Sequence, residues 1–197
     1  VLDKLALPPV TLREARHWIG SGLRNFLQEA LAQDSGEVLD SVFVEHAYSL
    51  FESHYAESVW NQSVCYPGVV DGLSQLEAVG FKMACVTNKS RSCTVLLLEE
   101  AGLAHYFDVV VAGDDLIERK PAPLPLLYAA KVLGEKSGDC VVIGDSRNDV
   151  EAARAAGMDI LLLTSGYNQG ADLTEIGATR LVTDFSQIFE LVARIGF

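Results

Sequence analysis

Residues 141–150 read Val-Val-Ile-Gly-Asp-Ser-Arg-Asn-Asp-Val. An apolar run of strand-forming residues ends in Gly-Asp-Ser, and the pattern then becomes helical, with Val150, Ala153 and Ala156 at turn spacing. The stretch predicts a β-strand that enters an α-helix through an acidic loop. In a parallel α/β sheet, ligands bind outside the carboxyl ends of the strands, so Asp145 lies where a functional site is expected.

Two interpretations of the acidic loop are open at this point. Asp145 and Asp149 are separated by one helical turn, so their oxygens can face the same point and hold a hard cation such as Mg²⁺. Alternatively, Asp145 or Ser146 only caps the helix, and Asp149 favours its positive end.

Composition excludes several classes of function. With 49% hydrophobic and 21% charged residues, the 197-residue chain can bury a sizeable core in one domain, or in a core with a smaller insert. The net charge of -12 argues against nucleic acid or an anionic membrane as a partner. The four cysteines show no CxxC pairing, which favours free thiols, and no apolar segment is long enough to span a bilayer. We therefore expect a cytoplasmic protein.

The chain divides into two regions of different pattern. Residues 1–64 are helical and form a helical hairpin, in which Thr11 and Glu14 make a capping box and Gly20 and Gly22 interrupt the first apolar stripe. Residues 65–197 alternate between helix and strand, with strands expected at 81–87, 107–112, 140–143, 160–163 and 180–182. Strands separated by single helices predict a parallel, right-handed α/β core.

The loops after three successive strands carry polar side chains. They contain Thr87-Asn88-Lys89, then Asp114-Asp115 with Lys120 beyond, and then Gly144-Asp145-Ser146. All three loops emerge at the same edge of a parallel sheet, so we expect a hydroxyl, an amine and a carboxylate to converge there. Such a set fits metal-assisted phosphoryl transfer, in which cations neutralise phosphate oxygens.

Each of these loops also has a simpler interpretation. Thr87 and Asn88 can cradle an anion at a helix start, or they can merely cap that helix. Lys120 can bind a phosphate as a point charge, or it can be a solvated loop residue before Pro121. Their ordered occurrence together is harder to explain by capping than any one loop is.

These residues resemble three motifs of the haloacid dehalogenase-like (HAD) phosphatases. The motifs are Val86-Thr87-Asn88-Lys89, Lys120-Pro121-Ala122-Pro123 and 144–149. The segments 113–116 and 166–170 look most like the phosphoglycolate phosphatase subfamily, and residues 7–64 resemble its helical cap. The resemblance implies a HAD-like Rossmannoid parallel sheet core, 65–197, with an α-helical cap, 1–64.

The resemblance also implies roles for individual residues. Thr87 would hydrogen-bond the transferring phosphoryl group with help from Asn88, and Lys120 would neutralise the phosphate and the nucleophile. Asp145 would ligate Mg²⁺, and Asp149 would order the metal site directly or through another ligand. In the cap, Arg24 would bind substrate, because it follows the glycine break where the family's substrate-facing loop begins.

One motif of the family is missing from residues 1–197. HAD phosphatases form a phospho-aspartate on the first Asp of an Asp-x-Asp-Gly-Thr motif, at the end of a central first strand. Asp3 has no apolar strand before it and no second Asp two residues on. We therefore expect a truncated, inactive and marginally folded chain. The strands at 81–87 and 140–143 should either pair directly or leave unpaired edges inside the sheet.

The implied function is Mg²⁺-dependent hydrolysis of a small phosphorylated metabolite, with 2-phosphoglycolate favoured. Related capped enzymes act on sugar phosphates, as phosphatases or as phosphoglucomutases, so the substrate stays open. The alternative from another class is a non-catalytic HAD-like module that binds a phosphorylated ligand or a protein. The sequence does not predict the oligomeric state.

Overall fold

The structure is a computed structural model that describes residues 1–18, 23–32, 40–59, 63–165 and 177–195. Its α-helices are α1 (Leu12–Trp18), α2 (Leu23–Ala32), α3 (Ser41–Ala56), α4 (Val69–Ala78), α5 (Arg91–Glu100), α6 (Leu124–Leu133), α7 (Arg147–Ala156) and α8 (Ile188–Ile195). Its strands are β1 (Ala84–Val86), β2 (Val109–Val111), β3 (Val141–Gly144), β4 (Asp159–Leu163) and β5 (Arg180–Val182).

Helices α1, α2 and α3 form what we call the helical cap. The predicted capping box is confirmed, because the Thr11 amide donates to Glu14 Oε2 (2.7 Å) and the Glu14 amide donates to Thr11 Oγ1 (3.3 Å). The cap has its own apolar cluster around Leu27, Leu31 and Val44. The predicted glycine break at residues 20 and 22 lies outside the described residues, and the boundary at residue 64 stays a prediction.

The rest of the described chain is α/β, as predicted. All of its strand pairs are parallel: β1 with β2, β3 with β4, and β4 with β5. The first strand is shorter than the expected 81–87. The Phe81 amide donates back to the Leu76 carbonyl (3.1 Å), and Gly80 has φ +85°, so these residues end α4 and do not begin the strand.

The strands form two separate sheets, β1–β2 and β3–β4–β5. Of the two expected outcomes, direct pairing of the strands near 81–87 and 140–143 is wrong. In the described part of the chain, β1 pairs only with β2, and β3 pairs only with β4. Each strand therefore keeps one open edge.

A cavity of about 670 Å³, which we call the interstrand slot, borders these two edges. It is lined by the consecutive residues 84–86 of β1 and 141–144 of β3. Because successive side chains of a strand point to opposite faces, contact with consecutive residues means that the slot runs along the strand edges. Leu73 and Leu76 of α4 and Leu126 and Ala130 of α6 also line the slot, and they belong to two different apolar clusters.

The hydrogen-bond pattern shows which backbone groups face the slot. The Thr87 amide donates to the Val111 carbonyl, and the Asp108 amide donates to the Met83 carbonyl, each over 2.9 Å. A strand in a parallel ladder alternates its bonding side residue by residue, so Ala84 and Val86 direct their backbone groups to the open edge. No described helix is long and apolar enough to cross a membrane.

Candidate functional site

The loop after β1 is ordered by its own hydroxyl and by the neighbouring loops. Thr87 Oγ1 accepts the Lys89 amide (3.2 Å), and the Lys89 carbonyl accepts the Gly113 amide (2.8 Å). Asn88 Nδ2 donates to the Lys120 carbonyl (2.8 Å). These contacts bring the Thr87 loop against the segment that carries Lys120, as the convergence of loops predicted.

Gly113 makes this close packing possible. A Cβ built on Gly113 would lie 2.2 Å from the Asn88 carbonyl oxygen and 2.6 Å from its carbonyl carbon. Backbone atoms cannot move aside as a flexible side chain can, so a side chain at position 113 forces the two loops apart. The sequence pattern places Gly113 in a segment typical of the subfamily but does not predict this steric role. The available signal was a glycine directly after a predicted strand.

Asp114 and Asp115 hold the start of α5. Asp114 Oδ1 accepts the Arg91 amide (2.7 Å), and Asp115 forms an ion pair with the Arg91 guanidinium. The hydrogen bond from Arg91 lowers the pKa of Asp115, against the raising effect of partial burial. These two carboxylates therefore stabilise the loop itself, and the carboxylate that binds Lys120 comes from another loop.

Lys120 lies at the centre of the converging loops. Its Nζ donates to the Val86 carbonyl at the open edge of β1 (2.5 Å) and to Asp149 Oδ1 (2.7 Å). The exposed fractions of the Lys120 and Asp149 side chains are 13% and 8%. The interpretation of Lys120 as a solvated loop residue is therefore wrong.

Asp149 confirms the capping interpretation of the acidic loop and adds an ion pair with Lys120, while its role at a metal site stays a prediction. Its Oδ2 accepts the Ser146 hydroxyl (2.6 Å) and the amides of Ser146 (3.1 Å) and Asp145 (3.2 Å), so Ser146 and Asp149 form a capping box at the start of α7. Its Oδ1 binds Lys120. Burial raises the pKa of Asp149, but the Lys120 charge and these hydrogen bonds outweigh it, and the net pKa lies below the usual value.

Asp145 lines the interstrand slot together with Lys120 and Asp149. Gly144 lets the acidic loop close, because a Cβ there would lie 2.4 Å from Asp149 Cβ. The described residues contain no cluster of three or more His, Cys, Asp or Glu side chains arranged to hold a metal ion. Carboxylate oxygens suit Mg²⁺, which also keeps waters and binds substrate phosphate, so the donors present fit an incomplete magnesium site.

Arg24 and the cysteines are the remaining residues singled out in the sequence. Arg24 in α2 pairs with Glu45 in α3, and its guanidinium lies 5.0 Å from the centre of the Tyr48 ring. Its predicted role in substrate binding stays a prediction. The cysteines are free thiols, as predicted, and burial raises the pKa of Cys85 although the Lys120 charge opposes the rise.

Comparison with known proteins supports the resemblance found in the sequence. Residues 1–163 match the family described as haloacid dehalogenase-like hydrolase. The chain is 36% identical over 194 residues to the phosphoglycolate phosphatase of Nitrosospira multiformis, covering 98% of this chain and 86% of that protein. It is 38% identical over 189 residues to phosphoglycolate phosphatase 1 of Pseudomonas aeruginosa, covering 95% and 69%.

The solved structures agree. A predicted phosphoglycolate phosphatase from Haemophilus somnus superposes with a TM-score of 0.90 at 30% identity, covering 96% of this chain and 86% of that one. Rhodobacter sphaeroides CbbY, solved with phosphate, superposes with a TM-score of 0.81 at 20% identity, covering 95% and 84%, and shows a shared fold. From the family match and these relatives, we conclude that this chain belongs to the haloacid dehalogenase-like hydrolases.

Proposed function

We propose that the protein is a Mg²⁺-dependent phosphomonoester hydrolase that acts on a small phosphorylated metabolite, with 2-phosphoglycolate as the favoured substrate. The observation that carries this proposal is the position of the Lys120 ammonium. It is largely shielded from solvent at the carboxyl end of β1, between the Val86 carbonyl and Asp149, beside the Thr87 loop. An ammonium held at this edge of a parallel sheet supplies the positive charge that a phosphate requires.

Each site residue has a distinct task in the proposed reaction. Thr87 donates its hydroxyl to a phosphoryl oxygen, Asn88 assists from the same loop, and Lys120 neutralises charge on the phosphate and on the attacking carboxylate. When Mg²⁺ is bound, it neutralises phosphate oxygens and orients the group for in-line attack. Asp145 would hold the ion, and Asp149 would position Lys120 and the acidic loop.

The attacking group is proposed to be an Asp outside the 197 residues of this chain, carried by a strand that fills the interstrand slot. A strand parallel to β1 and β3 would end between the Thr87 loop and the Asp145 loop. The nearest carboxylate to Lys120, Asp149, accepts hydrogen bonds at both oxygens and is therefore occupied. We propose that residues 1–197 alone do not hydrolyse phosphate esters.

The substrate assignment is supported by the relatives. The two curated relatives above are named phosphoglycolate phosphatases, and this chain covers most of their length. The likeness to CbbY at 20% identity concerns the fold alone and favours no sugar phosphate.

The test compares residues 1–197 with the same chain extended at its amino end by an apolar strand that ends in Asp-x-Asp-Gly-Thr. We expect Mg²⁺-dependent release of phosphate from 2-phosphoglycolate by the extended chain and none by residues 1–197. Changing the first Asp of the extension to Asn is the matched control and should abolish release. Turnover by residues 1–197 would refute the missing-nucleophile proposal, and a preference for a hexose phosphate would overturn the substrate.

A further inference from the structure

The Thr87 loop carries a second cation, Lys89, which has no role in the proposed reaction. Lys89 Nζ contacts Tyr55 of the helical cap, 2.5 Å from the hydroxyl and 4.2 Å from the ring centre. Both contacts are with a neutral side chain. Lys89 is two residues from Thr87, so their Cα atoms are at most about 7 Å apart, which places the ammonium within reach of a small ligand bound at Thr87.

Three other cations near the converging loops are each paired with a carboxylate. Arg24 is matched by Glu45, Arg91 by Asp115 and Lys120 by Asp149. Among the ion pairs found in the described ranges, none includes Lys89. Its positive charge is therefore not already matched by a carboxylate in the described structure.

The overall charge of the chain makes a local cation important. At a net charge of -12, the protein repels anionic ligands at long range, so local positive groups must override that field. Lys120 and Mg²⁺ serve the phosphate in the proposed function. A substrate with a second anionic group needs another cation a few ångströms away, and Lys89 meets that requirement by geometry and by charge.

The helical cap contacts the α/β core near this loop through more than one side chain. Ser92 Oγ donates to Glu52 of α3 (2.8 Å), one helical turn from Tyr55, and Arg119 donates to Asn25 of α2 (3.2 Å). Tyr55 therefore belongs to a cap surface that faces the loop. A substrate anion would replace the Tyr55 hydroxyl as the partner of the ammonium, which links recognition of the substrate to the position of the cap.

We propose that Lys89 is a specificity residue that binds a second anionic group of the substrate, so that the site selects phosphate esters of small acids over neutral phosphate esters. This inference rests on the proposed phosphatase function and deepens it. Tyr55 holds the ammonium when that second anion is absent. The proposed contact between Lys89 and the second substrate anion is a charge-assisted hydrogen bond, and such bonds are roughly twice as strong as neutral ones.

The test is calorimetric titration of residues 1–197, in Mg²⁺, with 2-phosphoglycolate and with ethyl phosphate, which lacks the carboxylate. We expect the unaltered chain to bind 2-phosphoglycolate about tenfold more tightly, which corresponds to one charge-assisted contact. Lys89→Met should reduce that preference to about twofold or less and leave the affinity for ethyl phosphate unchanged. Lys89→Arg should retain the preference.

Arg119→Met is the matched control, because Arg119 also joins core to cap through a neutral partner. We expect it to keep the tenfold preference, while Tyr55→Phe keeps or increases it. An equal loss of affinity for both ligands in Lys89→Met would assign Lys89 a purely structural role and overturn the inference. Loss of the preference for 2-phosphoglycolate in Arg119→Met would also overturn it. If neither ester binds the unaltered chain, the inference fails, whereas the proposed function is decided separately by phosphate release from the extended chain.

Discussion

The two sheets are held together in the same way, whereas the interstrand slot between them is bridged by different contacts. Inside each sheet, parallel backbone ladders join the strands. Across the interstrand slot, the described contacts include the side chains of helices α4 and α6 that line it, and Lys120, which joins the Val86 carbonyl to Asp149. The contrast teaches that the site and the cohesion of the fold depend on the same side chain.

The two sheets also order their loops by different means. The loop after β1 packs its backbone directly on Gly113, at a point that needs a residue without a side chain. The loop after β3 is held by one carboxylate, Asp149, which accepts several hydrogen bonds. A steric change should therefore damage the first loop, and a change of charge should damage the second.

The largest effect on stability is expected from Lys120→Met. The substitution leaves the Asp149 carboxylate in a site that is only 8% exposed, with no cation beside it. Removing one partner of a buried ion pair costs about 3–5 kcal/mol of unfolding free energy. Urea denaturation followed by circular dichroism measures this cost.

Lys82→Met is the control for the loss of an ion pair as such. Lys82 and Glu135 lie 2.6 Å apart, but their side chains are 53% and 40% exposed. An exposed pair contributes about 1 kcal/mol or less. If both substitutions cost the same, Lys120 does not join the two sheets energetically, and the comparison drawn above fails.

The sequence predicted the convergence of Thr87, Lys120 and Asp145, because parallel strands place their carboxyl ends at one edge. It did not predict which carboxylate Lys120 would bind. The spacing put Asp149 one turn from Asp145 and predicted either capping or metal binding, but the pairing with Lys120 depends on the loop from another strand. Asp149 caps α7 and binds Lys120, and only the packed structure brings Lys120 to it.

The interstrand slot is a second feature that the sequence pattern could not predict. The missing motif predicted open edges or direct pairing of β1 and β3, and both outcomes satisfied the sequence pattern. Which one occurs depends on how α4 and α6 pack on the two faces of the sheets, because their apolar side chains line the cavity. Periodicity identifies the apolar face of each helix but does not fix the spacing between strands that the helix covers.

A smaller loss is expected from Gly113→Ala. Its new Cβ would meet the backbone of Asn88 at 2.2 Å, so the loops after β1 and β2 must separate. Forcing extra volume into a packed site costs about 1–3 kcal/mol. Phosphate binding should weaken as well, because Asn88 and Thr87 move with the loop.

Gly138→Ala is the matched control for the loss of a glycine. A Cβ at Gly138 would have no heavy atom within 4 Å, and its φ is not positive. We expect no loss of unfolding free energy beyond about 0.5 kcal/mol, as for a surface change. A stable Gly113→Ala variant that binds phosphate normally would show that the loop has room to relax.

The smallest effect is expected on acidification, which leaves every atom of the Asp149 site in place and removes only a charge. The folded pKa of Asp149 lies below its unfolded value of about 3.9, because Lys120 and its hydrogen bonds favour the carboxylate despite burial. A lowered folded pKa means that the unfolded chain binds the proton more readily, so the stabilisation is complete above about pH 5 and is lost as the pH falls below about 4. The difference in unfolding free energy between the unaltered chain and Asp149→Asn should shrink over that acid range. A difference that stays constant from pH 6 to pH 3 would show that the folded pKa of Asp149 is not lowered, and that neither the Lys120 charge nor the hydrogen bonds favour the carboxylate.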